Sequence, residues 1–76
     1  MQYNQKLSKY LKKIRQAKGY KLNSFAYKNG IEPSTLSRVE NNLLEIKISV
    51  LEKIATGYNK TPAQLLHDFE EEQNRN

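Results

Sequence analysis

Apolar residues recur along the chain with the period of an amphipathic helix, in five blocks separated by turn-forming residues. In the first block Leu7, Tyr10, Leu11, Ile14 and Ala17 keep the i, i+3, i+4, i+7 spacing. This predicts a helix over about residues 4–18, stopped by Gly19. The second block, residues 22–29, carries Phe25 and Ala26 and stops at Gly30, which tolerates the left-handed backbone of a tight turn. The third opens with Glu32-Pro33, an acidic residue before a first-turn proline. It places Leu36 and Val39 inward and ends near Asn41-Asn42, both tolerant of left-handed geometry. Residues 43–47 read as a connection. The fourth block, residues 48–56, turns Ile48, Leu51, Ile54 and Ala55 inward, with Gly57 as its stop. The fifth opens with Thr61-Pro62-Ala63-Gln64, a capping box with proline in the first turn, and carries Leu65, Leu66 and Phe69. No strand is expected. The fold class predicted is all-α: a five-helix domain over residues 1–69, followed by a frayed polar tail over residues 70–76.

Length and charge narrow the picture. With 76 residues there is room for one small core, which a second copy of the chain would reinforce. The net charge of +5 is unevenly spread. Residues 1–60 hold 12 basic and 4 acidic residues, a balance of +8, and residues 61–76 hold 1 and 4, a balance of −3. A basic body with an acidic end suits a polyanionic partner on one side. No stretch approaches the apolar length of a membrane span, and Lys6, Lys9, Lys12 and Lys13 interrupt any signal-peptide core. There is no cysteine, hence no thiol chemistry and no thiolate metal site. A cytoplasmic protein without cofactor, metal, membrane or small-molecule ligand is expected.

The candidate chemistry lies in residues 22–41. Phe25, Ala26, Ile31, Leu36 and Val39 supply apolar groups where two crossed helices joined by the Gly30 turn must meet. On the free side of the second of these, Ser34, Ser37, Arg38 and Asn41 fall at i, i+3, i+4 and i+7. Such a row suits base edges and phosphates. Arg38 has the fork that matches guanine O6 and N7, and Ser34 and Ser37 are donors to bases. Thr35, Asn41, Asn42, Lys21 and Lys28 are placed to meet the sugar–phosphate backbone. Tyr10, Tyr20 and Tyr58 occupy apolar-patterned positions of the core or its rim, and Tyr27 is expected to be exposed. His67 and Asp68 are sequence neighbours, which do not face each other on a helix, so no enzyme is expected.

Arg15, Gly19, Ala26, Gly30, the run Ser34-Thr35-Leu36-Ser37-Arg38 and Glu40 stand in this order and at these spacings. In this the chain resembles the Cro and phage-repressor (XRE) type of helix-turn-helix protein over roughly residues 7–66. It has Ile46 and Ile48 and no proline near residues 43–47, which is similar to the short controller proteins of restriction–modification systems. The resemblance implies a lambda-repressor-like DNA-binding domain, sequence-specific binding of double-stranded DNA, and a transcriptional regulator reading a palindromic operator as a homodimer. It also implies a structural ion pair between Arg15 and Glu40. Two other functions fit the same pattern: the antitoxin of a toxin–antitoxin pair with autoregulatory DNA binding, and a helix-turn-helix protein-interaction module. Three positions depart from the family. Lys21 and Leu22 replace a serine or threonine followed by a phosphate-contacting glutamine, Asn29 replaces an apolar residue, and Asn42 replaces a glycine. Leu44, Ile46, Leu65 and Phe69, read as apolar residues not needed to close the core, are the expected dimer interface.

Overall fold

The computed structural model describes residues 3–75. Five α-helices and no strand occur among the described residues: α1 (Tyr3–Ala17), α2 (Leu22–Lys28), α3 (Pro33–Glu40), α4 (Ile48–Gly57) and α5 (Pro62–Arg75). α3 packs against α2 and α1, and α4 pairs with α5. One core joins all five, and the inward faces that the apolar period marks on α1, α2 and α3 are buried, except at the end of the α1 stripe, where Ile14 is half-buried and Ala17 is exposed because no element among the described residues covers the last turn of α1.

The connections are set by four helix ends of one kind. After α1, α2, α3 and α4 the second residue past the helix has positive φ: Gly19 (76°), Gly30 (72°), Asn42 (58°) and Asn59 (59°). Each end makes the same pair of backbone bonds. At α2, the Ile31 N–H donates to the Ala26 carbonyl (2.8 Å) and the Gly30 N–H to that of Tyr27 (3.3 Å). At α3, the Leu43 N–H donates to the Arg38 carbonyl (2.8 Å) and the Asn42 N–H to that of Val39 (3.2 Å). This is the Schellman arrangement, which satisfies the last carbonyls and reverses the chain in two residues. α5 begins with the reciprocal capping box: Gln64 N–H donates to Thr61 Oγ1 (3.1 Å) and Thr61 N–H to Gln64 Oε1 (2.9 Å).

Four expectations are corrected. Gly57 is not the stop of α4. It is the last helical residue, and Asn59 takes the left-handed conformation. Gly57 has a packing role instead: a Cβ there would lie 2.8 Å from both Asn29 Nδ2 and the Phe25 ring. Ile48 is 72% exposed, because it opens the first turn of α4 where no other element covers it. The tail is not frayed over residues 70–75. α5 continues to Arg75, with the Tyr3 hydroxyl donating to Glu70 (2.6 Å) and Lys13 pairing with Glu72 (2.8 Å). Asn76 and residues 1 and 2 lie outside the described residues. Finally, Leu65 (0% exposed) and Phe69 (2%) offer no surface to a second copy. They close the monomer's own core, where the Phe69 ring meets Tyr3 at 5.2 Å and Tyr10 at 5.3 Å between centroids.

Candidate nucleic-acid interface

α2, the turn at Gly30 and α3 form a unit held by its own packing. Ala26 is fully buried at the middle of α2. A larger side chain there would separate α2 from α3. Ile31 leaves the turn inward, and Leu36 and Val39 fix the buried face of α3. The opposite face carries Ser34 and Arg38 exposed, with Ser37 and Thr35 half-buried at its flanks. Arg38 has no hydrogen-bond or ion-pair partner among the described residues, so its guanidinium is available to a ligand.

A buried ion pair locks α3 to α1. Arg15 Nε donates to Glu40 Oε2 (2.8 Å) and Nη2 to Oε1 (3.0 Å), while Nη1 donates to the Tyr20 carbonyl (2.6 Å). The two side chains are 8% and 2% exposed. The hydrogen bonds from Arg15 to Glu40 raise the arginine pKa further, against the opposing effect of burial. Nearby, burial first and the Glu40 charge second push the Tyr58 hydroxyl up to about 12. That hydroxyl is buried with no partner among the described residues. The Tyr58 ring stacks on Phe25 at 5.1 Å, and Tyr20 stacks on both.

The other sequence-assigned residues divide into two groups. Asn41 and Asn42 lie just past the end of α3, where Asn41 uses both side-chain amide atoms in bonds within the chain and Asn42 uses its side-chain oxygen. Asn41 Nδ2 donates to the Ser37 carbonyl (2.8 Å), Asn41 Oδ1 accepts from Lys12 Nζ (3.2 Å), and Asn42 Oδ1 accepts from Asn4 Nδ2 (2.8 Å). Lys21, which precedes α2, and Lys28, its last residue, are exposed and border a hollow that Gly57 of α4 also lines. Lys28 further borders Glu52, Lys53 and Thr56 of α4, so the fold places it on the α4 side of α2, apart from the α3 row. Leu22, at the family's glutamine position, is half-buried against the core and makes no polar contact there. Glu32, the acidic residue expected at the start of α3, stands exposed there without capping the helix by a side-chain bond. One feature escaped sequence reading. Lys12 of α1 reaches the end of α3, which helical spacing alone does not reveal.

Charge is segregated by the same contacts. Three of the four acidic groups of α5 are held by basic or hydroxyl groups of their own side: Asp68 by Lys60, Glu72 by Lys13 and Glu70 by Tyr3, while Glu71 lies 3.7 Å from His67 one turn earlier. The Lys60 hydrogen bond lowers the Asp68 pKa. The cations of the α2–α3 side are not neutralised by this end of the chain. Among the described residues no group of His, Asp and Glu could hold a metal ion, and no helix is long and apolar enough to cross a membrane.

The sequence profile of the helix-turn-helix family matches residues 11–65, well over half of the chain. No curated protein and no solved structure matches it. The matched span runs from Leu11 of α1 to Leu65 of α5 and encloses the Arg15–Glu40 pair, the Gly30 turn and the α3 row. On that match and that geometry, the chain belongs to the Cro and phage-repressor type of helix-turn-helix family, whose members are DNA-binding transcription regulators.

Proposed function

We propose that this protein is a transcription regulator that reads a palindromic DNA operator as a homodimer. Each α3 enters a major groove with Ser34, Ser37 and Arg38 toward base edges and Thr35 toward the backbone. The observation that carries this reading is the α3 row itself: polar, solvent-facing, and led by an arginine with no partner, on a helix fixed by a buried ion pair. A guanidinium left free on a rigid element keeps its fork for a planar acceptor pair such as guanine O6 and N7. The half-sites are expected one helical turn apart, about 34 Å.

Selection of bound duplexes from a random pool tests it. The wild-type chain should yield a palindrome. Arg38→Ala should relax one position of each half-site and cost about 1–3 kcal/mol there. Equal loss on specific and random DNA would make Arg38 a phosphate contact. An unenriched pool would favour the protein-interaction reading.

A further inference from the structure

Asn29 is the one asparagine of the chain that glycine follows. With no side chain, Gly30 puts no steric block on the approach of its own backbone nitrogen to the Asn29 amide carbon. Gly30 is exposed, and no atom beyond its chain neighbours lies within 4 Å of where a Cβ would sit, so water and base reach the bond. Asn29 borders a surface hollow with Lys28, Glu52, Lys53 and Thr56, and Lys53 Nζ donates to the Gly30 carbonyl (3.1 Å). Two ammonium groups against one carboxylate favour a negatively charged backbone nitrogen there.

The folded turn keeps the reacting atoms apart. At ψ 15°, Asn29 turns the Gly30 nitrogen away from its own side chain. Ring closure needs that bond rotated, which breaks the Gly30-to-Tyr27 and Ile31-to-Ala26 backbone bonds of the Schellman end. The Asn29 amide is held as well, by the Phe25 carbonyl (2.8 Å) and by packing on Gly57. The Gly30 bond is a long one, at 3.3 Å, and a short surface turn opens locally at far less than the cost of unfolding.

We propose that Asn29–Gly30 is a self-deamidation site, closed by the folded α2–α3 turn and reached when that turn opens. Base removes the Gly30 N–H proton and the nitrogen attacks Asn29 Cγ. The Cγ–Nδ2 bond then breaks and ammonia leaves, taking a proton from water, so that a succinimide remains. Water opens the ring, with no oxidation or reduction at any step. Addition at Cγ gives aspartate in the original backbone. Addition at the main-chain carbonyl gives isoaspartate, whose backbone runs through Cβ and Cγ. Either product loses the donor to the Phe25 carbonyl and sets a carboxylate against that oxygen. Isoaspartate also adds a backbone atom inside the Schellman end, so Gly30 and Ile31 lose their register on α2 and α3 loses its fixed place. Loss of operator binding with age follows, a consequence that rests on the DNA-binding reading above.

The full chain is held in mildly alkaline buffer, with and without urea, and sampled over time for peptide mass spectrometry. The Asn29 peptide should convert to the acid before any other asparagine, with isoaspartate exceeding aspartate. Conversion should run several-fold faster in urea, where the turn no longer guards the bond. A native chain that keeps its Asn29 amide while the unfolded chain converts overturns access through turn opening. Equal rates in the two states overturn protection by the fold, and earlier conversion at Asn23, which serine follows in α2, overturns the choice of site. Asn29→Gln, whose longer side chain must close a larger ring, should keep its amide, and a rate equal to wild type would mean direct hydrolysis instead of attack by Gly30. Aged chain, separated from fresh by its added charge, should show a lower Tm than fresh chain and than Asn29→Asp, and should bind duplex several-fold more weakly than fresh chain. An aged chain with the Tm and affinity of fresh chain overturns the effect on the recognition unit. Fresh chain that binds no duplex is a separate result: it sinks the DNA reading and leaves the mapped deamidation standing.

Discussion

Two side chains near the centre of the molecule show how single residues set its limits. Arg15 and Glu40 are buried together and satisfy each other with two hydrogen bonds. Removing one leaves the other charged and without a counter-ion in a place where water cannot replace it. Arg15→Ala and Glu40→Ala are each expected to cost about 3 kcal/mol, and the double variant much less than the sum. Additive losses in a denaturation cycle would show that the pair contributes nothing as a pair. Tyr58 behaves differently, because its buried hydroxyl has no partner among the described residues. Its pKa is raised from 10.0 to about 12, so the folded chain holds this proton more tightly than the unfolded one. The resulting stability is complete below pH 10 and is lost as pH rises from there through 12. Tyr58→Phe should therefore leave neutral-pH stability within about 1 kcal/mol, or raise it, and reduce the alkaline loss. Tyr3 and Tyr10, whose pKa values are also raised, retain the rest. An alkaline Tm profile identical to wild type would contradict this.

Among the elements, the helix ends carry the architecture. Four Schellman ends bring α1 to α2, α2 to α3, α3 toward α4 and α4 to α5 with short links and satisfied carbonyls. Two use glycine and two use asparagine, which adopts the left-handed region at a modest cost. The recognition unit is also braced from behind at Gly57, where α4 passes against the Phe25 ring and the Asn29 amide of the α2 end. Asn29 in turn donates to the Phe25 carbonyl (2.8 Å), so this polar residue at an apolar family position has its amide satisfied at the end of α2. Alanine in place of a helical glycine normally stabilises by about 1 kcal/mol. Here Gly57→Ala is expected to destabilise by about 1–3 kcal/mol, because a Cβ would press into the aromatic stack. A gain in Tm on Gly57→Ala would mean that α4 can move away without loss.

Across the whole molecule, polar and apolar surfaces are sorted to different ends. α5 holds its acidic groups against α1 and the α4–α5 turn, while the α3 face is left polar and cationic. The exposed apolar residues collect between α3 and α4: Leu43 (71%), Leu44 (40%) and Ile48 (72%), with Ile46 half-buried under them. This moves the proposed dimer contact away from α5 and onto the connection beside the recognition helix. Ile46 is packed against the core, so a charge there would damage the monomer as well. Leu43→Asp/Ile48→Asp is the cleaner variant. It should keep the wild-type fold by circular dichroism, sediment as a monomer at tens of micromolar and bind single half-sites. A wild-type chain that is monomeric in solution and binds DNA one copy at a time would end the dimer proposal.

Much of this was present in the sequence, because much of it is local. Amphipathic period, the capping box at Thr61–Gln64, the glycines at positions 19 and 30 and the asparagine at position 42 act through bonds that span only a few residues. These signals place five helices and mark the solvent face of α3 before any folding is known. Tertiary structure decided what a period cannot state: which element covers each apolar face. Leu65, Phe69 and Ile48 all lie on apolar stripes, yet α1 closes over Phe69, Leu65 is sealed in the core and nothing covers Ile48. Gly57 has the composition of a helix stop, yet it serves a contact with residues 25 and 29. Lys12 reads as a solvated lysine until α1 is laid against the end of α3 and its ammonium meets Asn41. The α1 lysines and carboxylates of residues 70–72 carry no helical-face signal for each other across some sixty residues, and only packing α5 on α1 joins Lys13 to Glu72. The sequence by itself determined the helices, their ends and the polar row of α3, since those depend on neighbours within a turn or two. The packing of α1, α4 and α5 determined which groups remained free for a partner, since burial and charge compensation depend on residues distant along the chain.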